Sequence, residues 1–172
     1  MVLFYIKELD YKNKVTFTIV QTSKEFRDVI SIRKKVFVER EGYPPRSIIS
    51  DFDKWAIHIL AKSNKRVVGT ITLVLDSEKG LPIEKKFDLS AYRGGKIVEI
   101  DKLAVLPEKH GTAIAFDLTA MAYAIARFWG AQKIFIFTLE PTSFFSMTLP
   151  LIISLTHILC HMTLFVNLFM PK

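Results

Sequence analysis

The chain has 172 residues, half of them apolar and 24% charged, with a formal net charge of +7. That is enough for one domain with a substantial core, and too apolar for a disordered polymer. The excess of basic side chains favours an acidic partner (nucleic acid, anionic lipid or an acidic carrier protein), but no basic run interleaved with aromatics points to nucleic acid.

The N-terminal MVLFYIKELDYK meets charge at Lys7 and Glu8, too early for a signal peptide. VTFTIV, residues 15–20, is β-branched and aromatic and predicts a first strand. Thr22 and Glu25 have capping-box spacing, so a helix starts at Thr22 or Ser23. Phe26, Val29, Ile30, Val36 and Phe37 carry its apolar period to about residue 40, where Gly42, Pro44 and Pro45 end it. A polar stretch with Asp51 and Asp53 follows. Strands are expected at 55–61 and 66–75, joined by Ser63-Asn64-Lys65 as a hairpin. Residues 76–95 read as loop, with room for a helical turn. A long strand at 96–106, a helix at 110–129 closed by Gly130, and a strand at 133–137 complete the order β-α-β-β-β-α-β. That order predicts an α/β fold with a mixed sheet.

Residues 1–140 hold every acidic side chain and all basic ones but Lys172. The expected division is therefore a domain at 1–140 and an uncharged apolar tail at 141–172. Residues 144–170 are long enough to span a bilayer. Three readings of the tail compete: a membrane anchor, a frameshifted or truncated end, and a buried helix. The abrupt loss of charge favours the frameshift. His157, Cys160 and His161 have helical spacing, but such a trio in an apolar helix is far more often coincidence than a metal site. Cys160 is the single cysteine, which excludes an intrachain disulfide and fits the reducing cytoplasm.

Some residues carry chemistry on this reading. Arg33 falls on the apolar stripe of its helix. Either it pairs with a carboxylate of the acidic loop or faces a pocket, or its stem covers the core while its head reaches solvent. Asp51 and Asp53 share a face if that segment is extended, but no further ligands at regular spacing make a metal site. Glu99 and Asp101 alternate onto one strand face with Ile97, Leu103 and Val105. Lys102 falls on the other face with Val98, Ile100 and Ala104, unless a bulge intervenes. A carboxylate among apolar neighbours is raised in pKa, which suits a general base. The helix start at Lys109, His110, Gly111, Thr112 and Ala113 presents free amides that attract an anion, although an ordinary strand-to-helix turn looks similar.

IRKKVFVEREGY (32–43), DFD (51–53), VVGTITL (67–73) and VEIDKLAVLP (98–107) together resemble the GNAT acyltransferases. The nearest branch is the acyl-homoserine-lactone synthases and long-chain N-acyl amino acid synthases. LPIEKKFDL (81–89) and the HGTA turn resemble the amino acid synthases more. The resemblance covers roughly 15–140. It implies a GNAT-like mixed central sheet flanked by helices, with the apolar tail standing in place of the usual closing strands.

The implied activity is transfer of an acyl chain from acyl carrier protein, or from acyl-CoA, to a small-molecule amine, with no permanently bound cofactor. Glu99 aligns with the base. Backbone amides near Leu103, Ala104 and Val105 would polarise the thioester, and Lys109 through Ala113 would receive the pantetheine arm. Arg33, Phe37, Asp51, Asp53 and Lys102 align with the substrate side. The basic surface would suit an acidic carrier protein. Two other readings stand beside this one: a non-catalytic, degenerate or membrane-associated binding protein, and an acetyl-CoA-dependent N-acetyltransferase. Three positions depart from the pattern. Lactone synthases usually have Arg at Thr72 and at Lys102, and coenzyme A–dependent relatives usually have Gln or Arg at Glu108.

Overall fold

A computed structural model describes residues 15–136 and, as backbone, 151–154. Strands β1 (Val15–Ile19), β2 (Ala56–Ser63), β3 (Arg66–Leu75), β4 (Ile97–Val105), β5 (Lys133–Ile136) and β6 (Leu151–Ser154) lie side by side in chain order. All neighbours run antiparallel except β4 and β5, which are parallel. The parallel pair needs a crossover, and α2 (Ile114–Trp129) supplies it. The mixed sheet with flanking helices agrees with the predicted class. The uncharged tail contributes β6 against β5, and the rest of 144–170 lies outside the described residues.

The first helix, α1 (Ser23–Arg33), begins as its capping box predicts. Thr22 Oγ1 accepts from the Glu25 amide at 3.2 Å, while Glu25 Oε2 accepts from the Thr22 amide at 3.2 Å. The helix continues to Arg40, but residues Lys34–Arg40 are wound as a π-helix, with the Glu41 amide reaching back five residues to Val36.

Alternation along β3 sorts the layers. Ile71 and Leu73 join Ile114, Leu118, Ala122 and Ala126 of α2 in the main core. Thr70 and Thr72 point to the opposite face, where Thr72 meets Arg33 of α1. That second face is completed by a 3-10 turn at Asp51–Lys54 and by the segment 76–95. There Leu81, Ile83 and Leu89 bury against Phe52, Val74, Ile97 and Phe135. The 76–95 stretch is more structured than a plain loop, with 3-10 turns at Pro82–Lys85 and Ser90–Tyr92. Helix α2 starts at Ile114, later than predicted, because Pro107–Lys109 forms its own 3-10 turn. Gly130 ends it with φ +87°, a left-handed cap as expected.

The predicted hairpin is present. Ser63 pairs with Arg66, and both Asn64 (φ +50°) and Lys65 (φ +66°) are left-handed, as a two-residue turn requires. Lysine is strained there while glycine is not. Lys65→Gly is therefore expected to raise stability by about 0.5–1 kcal/mol, read as a higher urea midpoint with an unchanged slope.

Candidate active site

β4 changes face part-way along. Thr70 pairs with Ala104 and Thr72 with Asp101, so β4 uses one residue more than β3 over this stretch. Lys102, with φ +50°, takes up the extra residue. Before the bulge, Val98 and Ile100 face α2, and Ile97 and Glu99 face the other layer. After it, Val105 faces α2, while Ala104 and Leu106 pack on Ile32 and Val36. Unbroken alternation would put Val105 with Glu99 and Lys102 opposite them. The bulge overturns that assignment. Instead Lys102 Nζ lies 2.5 Å from Asp101 Oδ2 and 3.4 Å from Ser50 Oγ, on the acidic-loop side.

Glu99 is 2% exposed. Across the two ladders it pairs with Val74 and Phe135. Its Oε2 accepts from the Ile83 amide at 2.8 Å, and among the described residues it makes no ion pair. Burial pushes its carboxyl up to about 8. The Ile83 amide and Lys102 work against that rise, and Asp101 and Glu84 add to it. Among the described residues the β4–β5 ladder runs from Ile97–Lys133 to Ile100–Ile136 and includes Glu99.

Arg33 is completely buried; both Nη atoms are hydrogen-bonded, while the buried Nε has no partner among the described residues. Nη1 donates to Asp53 Oδ1 at 3.0 Å and to the Ile48 carbonyl at 2.8 Å, and Nη2 donates to Thr72 Oγ1 at 2.5 Å. The reading in which its head reaches solvent is thereby overturned, because the acidic loop folds over it. Asp53 Oδ2 accepts from the Ser50 amide at 2.7 Å. His58 Nε2 lies 3.1 Å from the Asp53 carbonyl, which only accepts, so Nε2 carries the proton. Nδ1 is left to accept from the Thr72 hydroxyl at 3.0 Å. Burial, with the Arg33 charge nearby, holds His58 below its ordinary pKa and hence neutral. Asp51 and Asp53 do not share a face. The segment is a 3-10 turn, not extended chain, so Asp53 is buried while Asp51 is exposed.

The remaining predicted residues lie along the same β4 axis. Phe37 is partly buried against Ala104 and Leu106, with its ring edge-on to Tyr43 at 6.3 Å. Leu103 is exposed at the bulge, next to the buried Ala104 and Val105. Gly111, Thr112 and Ala113 are exposed and Lys109 half-buried in the turn before α2. Gly111 has φ +75°, and no side chain caps the helix. Thr112 Oγ1 donates to the Lys109 carbonyl at 2.7 Å. His110 Nε2 lies 3.1 Å from the Val105 carbonyl, and Arg40 Nη1 lies 2.8 Å from Nε2 and 3.1 Å from Nδ1. Glu108 is paired with Arg66 at 3.0 Å.

Sequence reasoning missed His58, Ser50 and the Ile83 amide. It noted Thr72 only as a departure. His58 lies in the apolar strand AIHILA, and its one visible signal was a polar ring on a buried strand.

The family model for the N-acyl amino acid synthase FeeM matches residues 28–145. The chain belongs to this family. Among solved structures it is similar to FeeM from uncultured soil microbes, with a TM-score of 0.62, 20% identity, and 73% of this chain and 71% of that one covered. It is also similar to a predicted acetyltransferase from Clostridium acetobutylicum solved with acetyl-CoA, with a TM-score of 0.55, 12% identity, and 78% and 96% covered. An aminoglycoside 6′-N-acetyltransferase from Acinetobacter haemolyticus gives a TM-score of 0.54 at 12% identity, with 91% of each chain covered. The GNAT fold expected from the sequence is thus present, and the activity class is N-acyl transfer. Among the described residues no helix is long and apolar enough to cross a membrane, and no group of three or more His, Cys, Asp or Glu is placed to hold a metal. His157, Cys160 and His161 lie outside the described residues.

Two outcomes are expected. Arg33→Leu leaves the Asp53 carboxylate buried without its cation and costs about 3–5 kcal/mol in urea unfolding. Asp53→Asn in that background restores part of the loss. Glu99 ionises near 4.5 when unfolded and near 8 when folded. Between those values the folded chain keeps a proton that the unfolded chain has lost. Its contribution is therefore complete below about pH 4.5 and lost as pH rises through about 8. Glu99→Gln should flatten the stability–pH curve over this window, gaining on the wild type at alkaline pH.

Proposed function

We propose that the protein transfers an acyl chain from acyl carrier protein to the amine of an amino acid or related small molecule. The observation that carries this reading is the buried Glu99 carboxyl, held by one main-chain amide and by no cation among the described residues. A group held near pH 8 is poised to take a proton close to neutrality. Glu99 accepts the ammonium proton, directly or through a water. The freed nitrogen attacks the thioester carbonyl carbon. Main-chain amides around Leu103, Ala104 and Val105 donate to the carbonyl oxygen as it becomes an oxyanion. The C–S bond then breaks, the thiol leaves, and the amide product forms.

The turn from Lys109 to Ala113 takes the pantetheine arm, with the uncapped amides of α2 toward its phosphate. Arg33 and Asp53 act through the loop they fix. Lys102, Phe37 and Asp51, nearer the surface of that loop, meet the acceptor. The net charge of +7 suits an acidic carrier. A coenzyme A thioester is the second reading, and one observation favours it. Arg66 neutralises Glu108, so the carboxylate that would repel a pyrophosphate at that turn is already engaged.

The test is turnover of the full-length protein with acyl carrier protein, acyl-CoA and acetyl-CoA donors against an amino acid panel, with products identified by mass spectrometry. Long-chain N-acyl product from the carrier donor is expected. Product from acetyl-CoA alone favours the acetyltransferase reading, and no product from any donor overturns acyl transfer. Glu99→Gln should lower kcat by about 10²–10⁴, and the wild-type rate should rise with pH on a limb near 8.

A further inference from the structure

The Ile83 amide is the only hydrogen-bond donor to Glu99 among the described residues, and it comes from the 76–95 segment, not from the sheet. Something must hold that amide in place. Ile83 lies in the Pro82–Lys85 turn. Its neighbour Glu84 folds back so that Oε2 accepts from the Leu81 amide at 2.6 Å. Arg93, from the far end of the segment, grips Glu84 with two nitrogens. Nη2 lies 2.5 Å and 2.6 Å from the two carboxylate oxygens, and Nε lies 3.2 Å from Oε1. Arg93 Nη1 also reaches Asp76 Oδ2 at 3.2 Å, just past the end of β3. The guanidinium therefore ties both ends of the segment to its middle. Gly80 fits the same arrangement. It has φ +70°, and a Cβ there would collide with Glu84 Oε2 and come within 3.3 Å of Arg93 Nη2.

We propose that Arg93 is a positioning residue for Glu99: by clamping Glu84 and Asp76 it fixes the turn that aims the Ile83 amide at the Glu99 carboxylate. This rests on Glu99 being the proton acceptor of the proposed reaction. The fork geometry is what matters. A lysine keeps the charge but cannot serve both oxygens of Glu84 and Asp76 together. The charges facing Glu99 are Asp101 and Lys102 on β4 and Glu84 on the turn, while Val74 and Phe135 flank it on the neighbouring strands. Arg93→Lys leaves all of these charges in place, so a change at Glu99 in that variant reports geometry. Arg93→Ala also unmasks Glu84 and so mixes in an electrostatic effect.

The experiment uses the full-length protein with side-chain 13C-labelled glutamate, the Glu99 signal being assigned by its loss in Glu99→Gln. Two quantities are read without turnover: the Glu99 titration midpoint and the exchange rate of the Ile83 amide. In Arg93→Lys the midpoint should rise by about one pH unit, since an amide donor to the carboxylate is lost. Ile83 exchange should quicken at least about tenfold while Val98 on β4 keeps its protection. A midpoint that moves in Arg93→Ala but not in Arg93→Lys makes Arg93 a mere charge and overturns the proposal. So does no movement in either variant. If Arg93→Lys loses its near-ultraviolet circular dichroism, Asp76→Asn replaces it, with the same directions expected at smaller size and no change counting against the clamp. The pH–rate profile separates the two ideas. If titration and exchange move but the rate limb does not follow, Glu99 is not the base and the clamp stands. If neither moves, the clamp falls and the base assignment is untouched.

Discussion

From Thr70 to Thr72, β3 advances two positions, while the opposing stretch of β4, from Ala104 back to Asp101, spends three. The surplus residue, Lys102, is absorbed with its backbone turned left-handed, and the strand leaves the bulge with its faces exchanged. Everything on the acidic-loop side follows. Glu99 and Lys102, one odd and one even in sequence, come to the same layer. Ala104 and Leu106 become the floor on which Ile32 and Val36 rest, placing the helix that carries Arg33. Without the bulge Lys102 would enter the apolar core under α2, where an ammonium has no partner.

Two buried carboxyls then occupy the same layer in opposite conditions. Asp53 has a cation on one oxygen and a backbone amide on the other. Glu99 has one amide and apolar walls. The pairing of Asp53 costs the desolvation of Arg33 as well, so the pair contributes order more than net stability. Its yield is a fixed loop: Ile48, Ser50, Asp53, His58 and Thr72 are all tied, directly or through one intermediate, to one guanidinium. Glu99 has no cation on it among the described residues, and burial pushes its carboxyl up to about 8. On the proposed function, these surroundings give Asp53 the structural part and Glu99 the chemical one.

Much of this was legible in the sequence. The strands, the hairpin at Asn64-Lys65, the capping box at Thr22 and the glycine cap at Gly130 rest on local rules, and each appears where those rules put it. What was not legible depends on register or on winding. The parity of Asp51 and Asp53 failed because the segment closes into a 3-10 turn, which the apolar pattern around Phe52 does not announce. The two readings of Arg33 could not be separated until Asp53 was seen to reach it across 20 residues of chain. His58 gains meaning only once β2 and β3 pair it with Thr72, a fact of register and not of composition. The face exchange on β4 was foreseen as a condition, but a lysine gives no sign that it will turn left-handed.

The turn at 109–113 and helix α1 are also joined, and by weak bonds. His110 touches the Val105 carbonyl at the end of β4 and also Arg40, which ends the π-wound extension of α1. Exposed contacts of this kind add about 0–1 kcal/mol each, too little to hold a fold together. Their effect is geometric. β4 carries Glu99 at one end and supports His110 at the other, and α1 carries Arg33 within the layer and Arg40 at its edge. A shift of either element therefore moves the Arg33 layer and the 109–113 turn together, the two places the proposed function gives to acceptor and donor. Transfer between two bound substrates depends on reacting atoms held within a few tenths of an ångström. A single strand and a single helix, each touching both halves, supply a common frame that separate loops would not.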